Sequence, residues 1–289
     1  MKEEGTLQYG LDVSVTGAYA NVALLADLAA LAEASGWDGF FVQDGLLPAR
    51  SEAMVDPWLA LCAIALATRR MRIGALMTPL AAYLPWQLAR QGMTLDQLSS
   101  GRVIFGAGLG FKEEDFLAVG ADATTLIRAE KLDEGLALLR LFWTGEPFSF
   151  TGKHYQVIQA QLLPTPIQTP TIPIWLAGVW PHRKPLRRAA RFDGLYIASE
   201  QATGEPLTPT DLYEAVAYVR SQRQDHTSLD VAFAGVTEAA TAASVIQPYA
   251  QAGATWWLEG IWVERGSVQK MRERIQHGPP NIDLTRAPD

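Results

Sequence analysis

Hydrophobic and polar positions along the chain separate two kinds of segment: short runs of β-branched and aromatic residues, and longer segments with helical spacing. The first run is Leu7–Val13, and a helical segment follows at Asn21–Ala34. Gly36 then stands where a helix C-cap is expected, and Asp38–Gln43 is the second predicted strand. A strand followed by a covering helix is typical of a parallel sheet with helices packed on it.

The same alternation continues to the end of the chain. Further strands are predicted at Met71–Met77, Val103–Ala107, Ile174–Ala177, Gly194–Ala198, Leu229–Phe233 and Thr255–Ile261. Further helices are predicted to begin at Pro57 and Pro85, and to span Thr125–Trp143, Lys184–Arg191, Thr210–Gln222, Ala239–Ala252 and Gly266–Gln276. Eight strand–helix pairs predict an α/β fold of the TIM-type (β/α)8 barrel class, because an open doubly wound sheet usually has fewer strands.

One stretch interrupts the alternation before the fifth strand. Pro147–Leu163 alternates around Thr151-Gly152-Lys153 and predicts a β-hairpin, and Pro164–Pro173 contains four prolines and predicts an extended connector. We therefore expect a single barrel domain over residues 1–289, with an insertion at about 147–172 and a C-terminal arm at about 277–289.

Charge and cysteine content exclude several classes of partner. The chain has 24 basic and 31 acidic residues and a net charge of −7, which argues against a nucleic-acid partner. The longest apolar stretch falls short of the roughly 20 residues of a membrane span, and the acidic N-terminus lacks a signal core. A single cysteine cannot form an internal disulfide. We expect a cytoplasmic protein with no membrane partner.

If the barrel is correct, reactive groups belong at the carboxyl ends of its strands. The residues there are Asp12, Asp44, Thr78, Gly106–Phe111, Gly178–Lys184, Ser199–Glu200 and Glu259. No G-x-S-x-G motif is present, and the four histidines are scattered without metal-ligand spacing. We expect no metal site, and a bound cofactor becomes the natural source of reactivity.

Two loops are candidates for holding that cofactor. Gly106-Ala107-Gly108-Leu109-Gly110-Phe111 follows a strand, but the third glycine of a dinucleotide fingerprint would fall on Phe111. The glycines therefore indicate either a tight turn or the close approach of a flat ligand to bare backbone. The second loop, Gly178–Pro185, runs from a strand into a helix and carries Arg183 and Lys184. Such a loop suits a phosphate tail, although both cations would also suit a solvated surface.

Several motifs resemble one known family. They are Gly36–Asp44 (GWDGFFVQD), Leu95–Gly110 (LDQLSSGRVIFGAGLG), Pro173–Gly178 (PIWLAG) and Ala189–Gly194 (AARFDG). In this order and spacing the chain resembles the luciferase-like flavin-dependent monooxygenases and oxidoreductases, which include bacterial luciferase and enzymes that use the deazaflavin coenzyme F420. The resemblance implies a barrel with a proline-rich insertion before the fifth strand.

The resemblance also implies where the cofactor lies. The residues implied near the ring are Asp44, Leu76, Met77, Thr78, Gly106, Gly108 and Gly110, and those near the phosphate are Gly178, Val179, Trp180, Arg183 and Ser199. Asp44 is the candidate catalytic residue, as a contact of ring or substrate. Relatives carry a non-proline cis peptide at the end of strand three, which predicts one here at Ala75-Leu76 or Leu76-Met77.

Three positions depart from the family pattern. Gly45 follows Asp44 where relatives often have histidine, and Leu109 stands where luciferase has a phosphate-binding arginine. Phe111 stands where the deazaflavin sugar dehydrogenases have a glutamate. Luciferase chemistry and sugar oxidation are therefore not carried over to this chain.

The function implied is oxidoreduction with a flavin. The first expectation is a monooxygenase that uses reduced FMN and dioxygen on a small organic substrate. The alternatives are an F420-dependent hydride-transfer enzyme, a non-catalytic flavin-binding protein and a cofactor-free barrel such as a lyase. The expected partners are a small-molecule substrate, a separate flavin reductase and a second copy of the chain in a homodimer.

Overall fold

The computed structural model describes residues 7–48, 52–110, 112–199, 207–224, 227–280 and 282, and only the backbone of Ser199. Phe111, Glu200 and most of the C-terminal arm lie outside the described residues. The expectations for these positions therefore stay predictions.

Strands and helices alternate as the sequence indicates. The strands are β1 Gln8–Val13, β2 Gly39–Val42, β3 Arg72–Ala75, β4 Thr78–Pro79, β5 Phe105–Gly108, β6 Phe148–Thr151, β7 Gln156–Ala160, β8 Ile174–Trp180, β9 Gly194–Ser199, β10 Asp230–Gly235 and β11 Trp256–Ile261. The helices are α1 Val22–Ala34, α2 Pro57–Ala67, α3 Pro85–Leu98, α4 Glu113–Ala118, α5 Thr125–Trp143, α6 Arg183–Ala189, α7 Pro209–Gln222, α8 Ala242–Gln251 and α9 Val268–Gln276.

Polar residues fix where several helices begin. Asn21 accepts a hydrogen bond from Leu24 N at 3.0 Å, and Asp56 accepts one from Leu59 N at 2.8 Å just before Pro57. Each side chain satisfies an N–H group that has no partner within its helix.

The parallel strands close into a barrel. Their order is β3-β2-β1-β11-β10-β9-β8-β5-β4. Ile73 N donates to Arg102 O at 3.0 Å and Ile104 N donates to Ile73 O at 2.9 Å, which joins β3 to the residues before β5. Gly74 permits this approach, because a Cβ atom there would overlap the Ile104 carbonyl. The predicted TIM-type barrel is confirmed.

Aromatic rings fill the barrel interior away from the carboxyl ends of its strands. Phe41, Trp175 and Trp256 pack with ring centroids 5.4 to 5.7 Å apart. Leu76, Ile104 and Leu258 complete this inner cluster, while the alternate side chains of the same strands pack against the helices. The inner cluster makes this part of the barrel a packed core.

The insertion lies before β8, as expected. β6 and β7 form the antiparallel hairpin, and the proline-rich connector follows it. Asp96 accepts hydrogen bonds from Ile167 N at 2.8 Å and from Gln168 Nε2 at 2.7 Å. The connector is thus tied to α3 rather than loosely attached.

Parts of the family motifs lie at the amino ends of the strands. Asp38 accepts a hydrogen bond from Tyr9 N, and Asp193 accepts one from Ile174 N, each at 2.9 Å. Arg102 is buried and donates to Ser99 O, Thr68 Oγ1, Met71 O, Ala65 O and Thr68 O. These motifs hold strands and helix ends together at the face opposite the expected chemistry.

Some element boundaries differ from the prediction. The third strand ends at Ala75 and pairing resumes at Thr78, whereas the fifth extends to Trp180 because it pairs with β9 as far as Ser199. The segment after the glycine loop forms the short helix α4, which is absent from the predicted helices. Phe116 anchors this helix in the core, with the Arg128 guanidinium 4.9 Å from its ring centroid.

Candidate active site

Small side chains surround the space above the inner cluster at the carboxyl ends of the strands. Ala177, Ala198 and Ala234 continue the inward-facing positions of β8, β9 and β10, and they are half-buried or exposed. Gly260 occupies the corresponding position on β11. Because these positions carry no long side chain, the barrel has an open mouth on this face.

Asp44 lies just beyond β2 at this mouth. The Tyr83 hydroxyl donates to its Oδ1 at 3.2 Å. Burial raises the pKa of Asp44 to about 7, and the facing Thr78, Tyr83 and Trp58 groups lower it only in part. A carboxyl with such a pKa exchanges its proton near neutral pH.

Three buried polar atoms at Asp44 form no hydrogen bond of good geometry, although Thr78 and Trp58 face the Asp44 carboxyl closely enough to lower its pKa. They are Asp44 Oδ2, Thr78 Oγ1 and Trp58 Nε1. Buried polar groups are normally hydrogen-bonded, so such a cluster needs an explanation. A bound molecule with polar edge atoms would supply the missing partners.

The end of β3 has the backbone feature that the resemblance implied. The Leu76–Met77 peptide is cis, at one of the two predicted positions. Leu76 is buried in the inner cluster and Met77 packs against that cluster while half-buried. Met77 and Thr78 therefore lie side by side at the mouth.

The structure explains two glycines of the glycine loop without a ligand. A Cβ atom on Gly106 would overlap the Ala75 carbonyl oxygen and lie 3.1 Å from Met77 Sδ. Gly110 has a φ of +83°, which favours glycine, and its carbonyl accepts from Arg128 at 3.1 Å. At Gly108 a Cβ atom would make a tight contact of 3.3 Å with Ala177 Cβ but would not overlap the backbone. Strand packing alone therefore accounts for Gly106.

The predicted phosphate loop is built around stacked side chains. Arg183 lies 4.6 Å from the ring centroid of Trp180 and 4.3 Å from that of Tyr218. The Trp180 indole donates to Asp211 Oδ1 at 3.2 Å. Val179 faces the mouth, whereas Gly178 packs against Leu186 and Leu195. The side chain of Ser199 lies outside the described residues, so its predicted contact stays open.

Asp12 is a second carboxyl inside the mouth, which the sequence marked only as a strand-end residue. It is 2% exposed, and its Oδ2 accepts from Trp262 Nε1 at 3.0 Å and from Gln43 Nε2 at 3.4 Å. Its Oδ1 is buried and has no partner. Burial raises the pKa of Asp12 to about 6. The strand alternation that turns Asp12 inward was visible in the sequence, but its isolation from donors was not.

Glu259, another strand-end acid, does not reach the mouth. It points into the helix layer and pairs with Arg265 at 2.6 Å and with Arg274 at 3.4 Å. Thr237 and Trp257 complete its hydrogen bonds. We assign Glu259 to the structure rather than to the site.

The described residues contain neither a candidate membrane span nor a candidate metal cluster. No helix in this part of the chain is both long enough and apolar enough to cross a lipid bilayer. Across the same residues, no three His, Cys, Asp or Glu side chains come together as a metal site requires.

Known proteins identify the family of this barrel. The luciferase-like monooxygenase family matches residues 7–280. The chain belongs to this family. An F420-dependent glucose-6-phosphate dehydrogenase of Amycolatopsis mediterranei (strain U-32) is 32% identical over 161 residues, which cover 54% of this chain and 48% of that protein. The chain thus matches only about half the length of such curated relatives.

Solved structures of the family share the fold. An F420-dependent secondary alcohol dehydrogenase in complex with an F420-acetone adduct has a TM-score of 0.76 and 18% identity, covering 88% of this chain and 93% of that one. The monooxygenase RslO1 from Streptomyces bottropensis has a TM-score of 0.73 and 19% identity, covering 94% and 98%. At these identities the likeness establishes the architecture of the luciferase-like barrel.

Proposed function

We propose that this luciferase-like protein is an F420-dependent oxidoreductase that transfers hydride between the deazaflavin and a small organic molecule. The observation that carries the proposal is a group of buried polar atoms without a hydrogen bond of good geometry after β2 and at the start of β4, Asp44 Oδ2 and Thr78 Oγ1 beside Met77. A flat ring with polar edge atoms fits this group, because it both covers the thioether and supplies hydrogen-bond partners.

The relatives favour F420 over the FMN that the sequence first suggested. The curated proteins that match at 31 and 32% identity are both named F420-dependent glucose-6-phosphate dehydrogenases. Monooxygenation with reduced FMN and dioxygen becomes the competing hypothesis, and a separate flavin reductase is a partner only under that hypothesis.

The residues of this chain would have distinct tasks. Asp44, Leu76, Met77 and Thr78 would hold the ring, and Val179, Trp180 and Arg183 would hold the phosphate tail. Bound F420 would supply the hydride acceptor or donor. Asp44, with its pKa near 7, would donate a hydrogen bond when protonated and accept one when ionised.

A titration of the purified chain with F420 and with FMN, followed by cofactor fluorescence, tests the proposal. Thr78→Val removes the unpartnered hydroxyl at the mouth, and Thr171→Val removes another buried, unpartnered hydroxyl before β8 at the opposite end of the barrel. We expect Thr78→Val to weaken F420 binding about five- to tenfold, as loss of roughly 1 kcal/mol of hydrogen bonding predicts, and Thr171→Val to have no effect.

The other outcomes separate the alternatives. Preferential binding of FMN, with oxygen consumption by the reduced complex, would favour the monooxygenase. Tight F420 binding without turnover of any alcohol or ketone would favour a non-catalytic carrier. Binding of neither cofactor would favour a cofactor-free barrel.

We also propose that the chain forms the expected homodimer through α2. The single cysteine favours a reducing compartment, and we propose that the dimer is cytoplasmic. Leu59 and Leu66 on this helix are 68% and 61% exposed. Leu59 and Leu66 are seven residues apart and so lie on the same face of the helix, and a contiguous exposed apolar patch marks an interaction surface. Sedimentation should show a dimer for the parent and a monomer for Leu59→Glu/Leu66→Glu, with Leu126→Glu on α5 as the control.

A further inference from the structure

The floor of the barrel mouth carries a buried acceptor that the cofactor residues do not use. Asp12 is 2% exposed, and Trp262 and Gln43 both donate to its Oδ2. Its Oδ1 is buried without a partner. A buried carboxyl oxygen without a donor is costly, so its retention calls for an occupant that bonds to it.

The surroundings of Asp12 restrict the size and polarity of that occupant. Ala177, Ala198 and Ala234 leave space above the floor, and Met77 and Val179 add apolar surface at its edge. Such a space accommodates a compact apolar group, with its polar atom turned toward the one open acceptor.

The charges of the described residues disfavour an anionic substrate at Asp12. In the described part of the chain, Asp12 forms no salt bridge, and no cation is among the causes of its pKa shift. Asp44 adds a second carboxyl to the mouth, and the Arg183 guanidinium, stacked against Trp180 and Tyr218, is the cation that the proposed function assigns to the phosphate tail of the cofactor. A phosphoryl group placed above Asp12 would face like charge without compensation.

We propose that Asp12 Oδ1 anchors the single polar oxygen of a small neutral substrate, an alcohol or the corresponding ketone, whose apolar remainder packs against the alanines of the mouth. This assignment rests on the proposed oxidoreductase function and specifies the substrate class of that site. It separates this chain from relatives named for glucose 6-phosphate.

The protonation state of Asp12 decides whether the alcohol or the corresponding ketone binds more tightly. The ionised carboxylate accepts a hydrogen bond from an alcohol O–H, whereas the protonated acid donates one to a ketone C=O. Burial places this change near pH 6. Tyr196 on β9 is the titratable group that faces Asp12, and it stays neutral because its pKa is raised well above its usual value, while Gln43 and Trp262 carry no charge.

Binding of cyclohexanol and cyclohexanone, two matched neutral probes, tests the assignment without turnover. The indole ¹H–¹⁵N resonance of Trp262, assigned with Trp262→Phe, reports on the group bonded to Asp12. We expect cyclohexanol to bind at least threefold more tightly at pH 8 than at pH 5.5, and cyclohexanone to show the opposite preference. Glucose 6-phosphate should not shift the resonance.

Variants identify the titrating group. Asp12→Asn should remove the opposite pH preferences, and Asp12→Ser is a smaller second variant with the same expectation. Asp27→Asn, which removes an exposed carboxyl from α1, is the control that should keep them. Unchanged pH preferences in both Asp12 variants, or tighter binding of glucose 6-phosphate than of cyclohexanol, would overturn the assignment.

The experiments distinguish failure of the proposed oxidoreductase function from failure of the Asp12 assignment. Probe binding is measured before cofactor is added and again with F420 present. If neither F420 nor FMN binds but the Asp12-dependent preferences persist, the proposed function fails and the Asp12 site stands. If F420 binds while the preferences are absent, the Asp12 assignment fails alone.

Discussion

The indole Nε1 of Trp262 donates a 3.0 Å hydrogen bond to Oδ2 of Asp12, two residues separated by 250 positions in the chain. The bond joins the first strand of the barrel to the segment after the last one, directly at the mouth. It leaves the other oxygen of Asp12 buried and unpartnered. The carboxyl is therefore held firmly in place and poorly stabilised as an anion.

Asp12→Asn should make the protein more stable at alkaline pH. The pKa of Asp12 rises from 3.8 to about 6 on folding, so the folded state binds the proton more tightly and stability is lost as pH rises through 6. At pH 8 the variant should be more stable by up to about 3 kcal/mol, and the difference should shrink toward pH 4. Urea unfolding across this range measures it, with Asp27→Asn on the exposed side of α1 as the control for lost charge.

Tyr83→Phe should raise the pKa of Asp44 further. The Tyr83 hydroxyl donates to Asp44 Oδ1 and stabilises the carboxylate, so its removal favours the protonated acid. A ¹³C-carboxyl NMR titration, assigned with Asp44→Asn, should give a value above the parent value of about 7. Tyr213→Phe, at a 63% exposed residue on α7, should leave it unchanged. A fall in the pKa of Asp44 would show that Tyr83 does not act as the donor.

Gly106→Ala and Gly108→Ala should differ sharply in stability. The added Cβ at position 106 would overlap the Ala75 carbonyl, whereas at position 108 it would lie 3.3 Å from Ala177 Cβ and 3.5 Å from Met77 Cβ. We expect Gly106→Ala to cost about 2–3 kcal/mol and Gly108→Ala to cost less than about 1 kcal/mol. Equal losses in urea unfolding would mean that strand packing does not explain Gly106.

Arg102→Met should be among the most destabilising single changes. Five hydrogen bonds from the buried guanidinium satisfy acceptors at the ends of α2 and α3, and the variant leaves those acceptors without donors. We expect a loss of about 3–5 kcal/mol in the free energy of unfolding, and only partial recovery in Arg102→Lys. Full recovery in the lysine variant would show that charge alone matters at this position.

The sequence alone was enough to predict the barrel and the position of its insertion. Period-two and helical spacing, interrupted at Gly and Pro, marked each strand–helix pair, because burial of one face is a local property of each element. The boundaries were less accurate: β8 runs on to Trp180 because its partner β9 continues, and pairing is not local.

The candidate site, like the fold, could be predicted from the sequence only in part. Strand order and alternation indicated which strand ends hold chemistry, and the family resemblance implied that Asp44, Met77 and Thr78 lie near the cofactor ring. Sequence could not show that Gly106 is required by the Ala75 carbonyl, that Glu259 pairs with two arginines in the helix layer, or that Asp12 lacks a partner for one oxygen. These facts depend on atoms from distant segments.

The sequence by itself therefore determined the architecture and the end of the barrel that carries the site, since both follow from the order of apolar and polar residues. Tertiary structure decided which residues at the carboxyl ends of the strands are available for chemistry, because availability depends on the neighbours that folding brings within hydrogen-bond distance. Trp262 and Gln43 take one oxygen of Asp12, and only the closed barrel shows that the other remains.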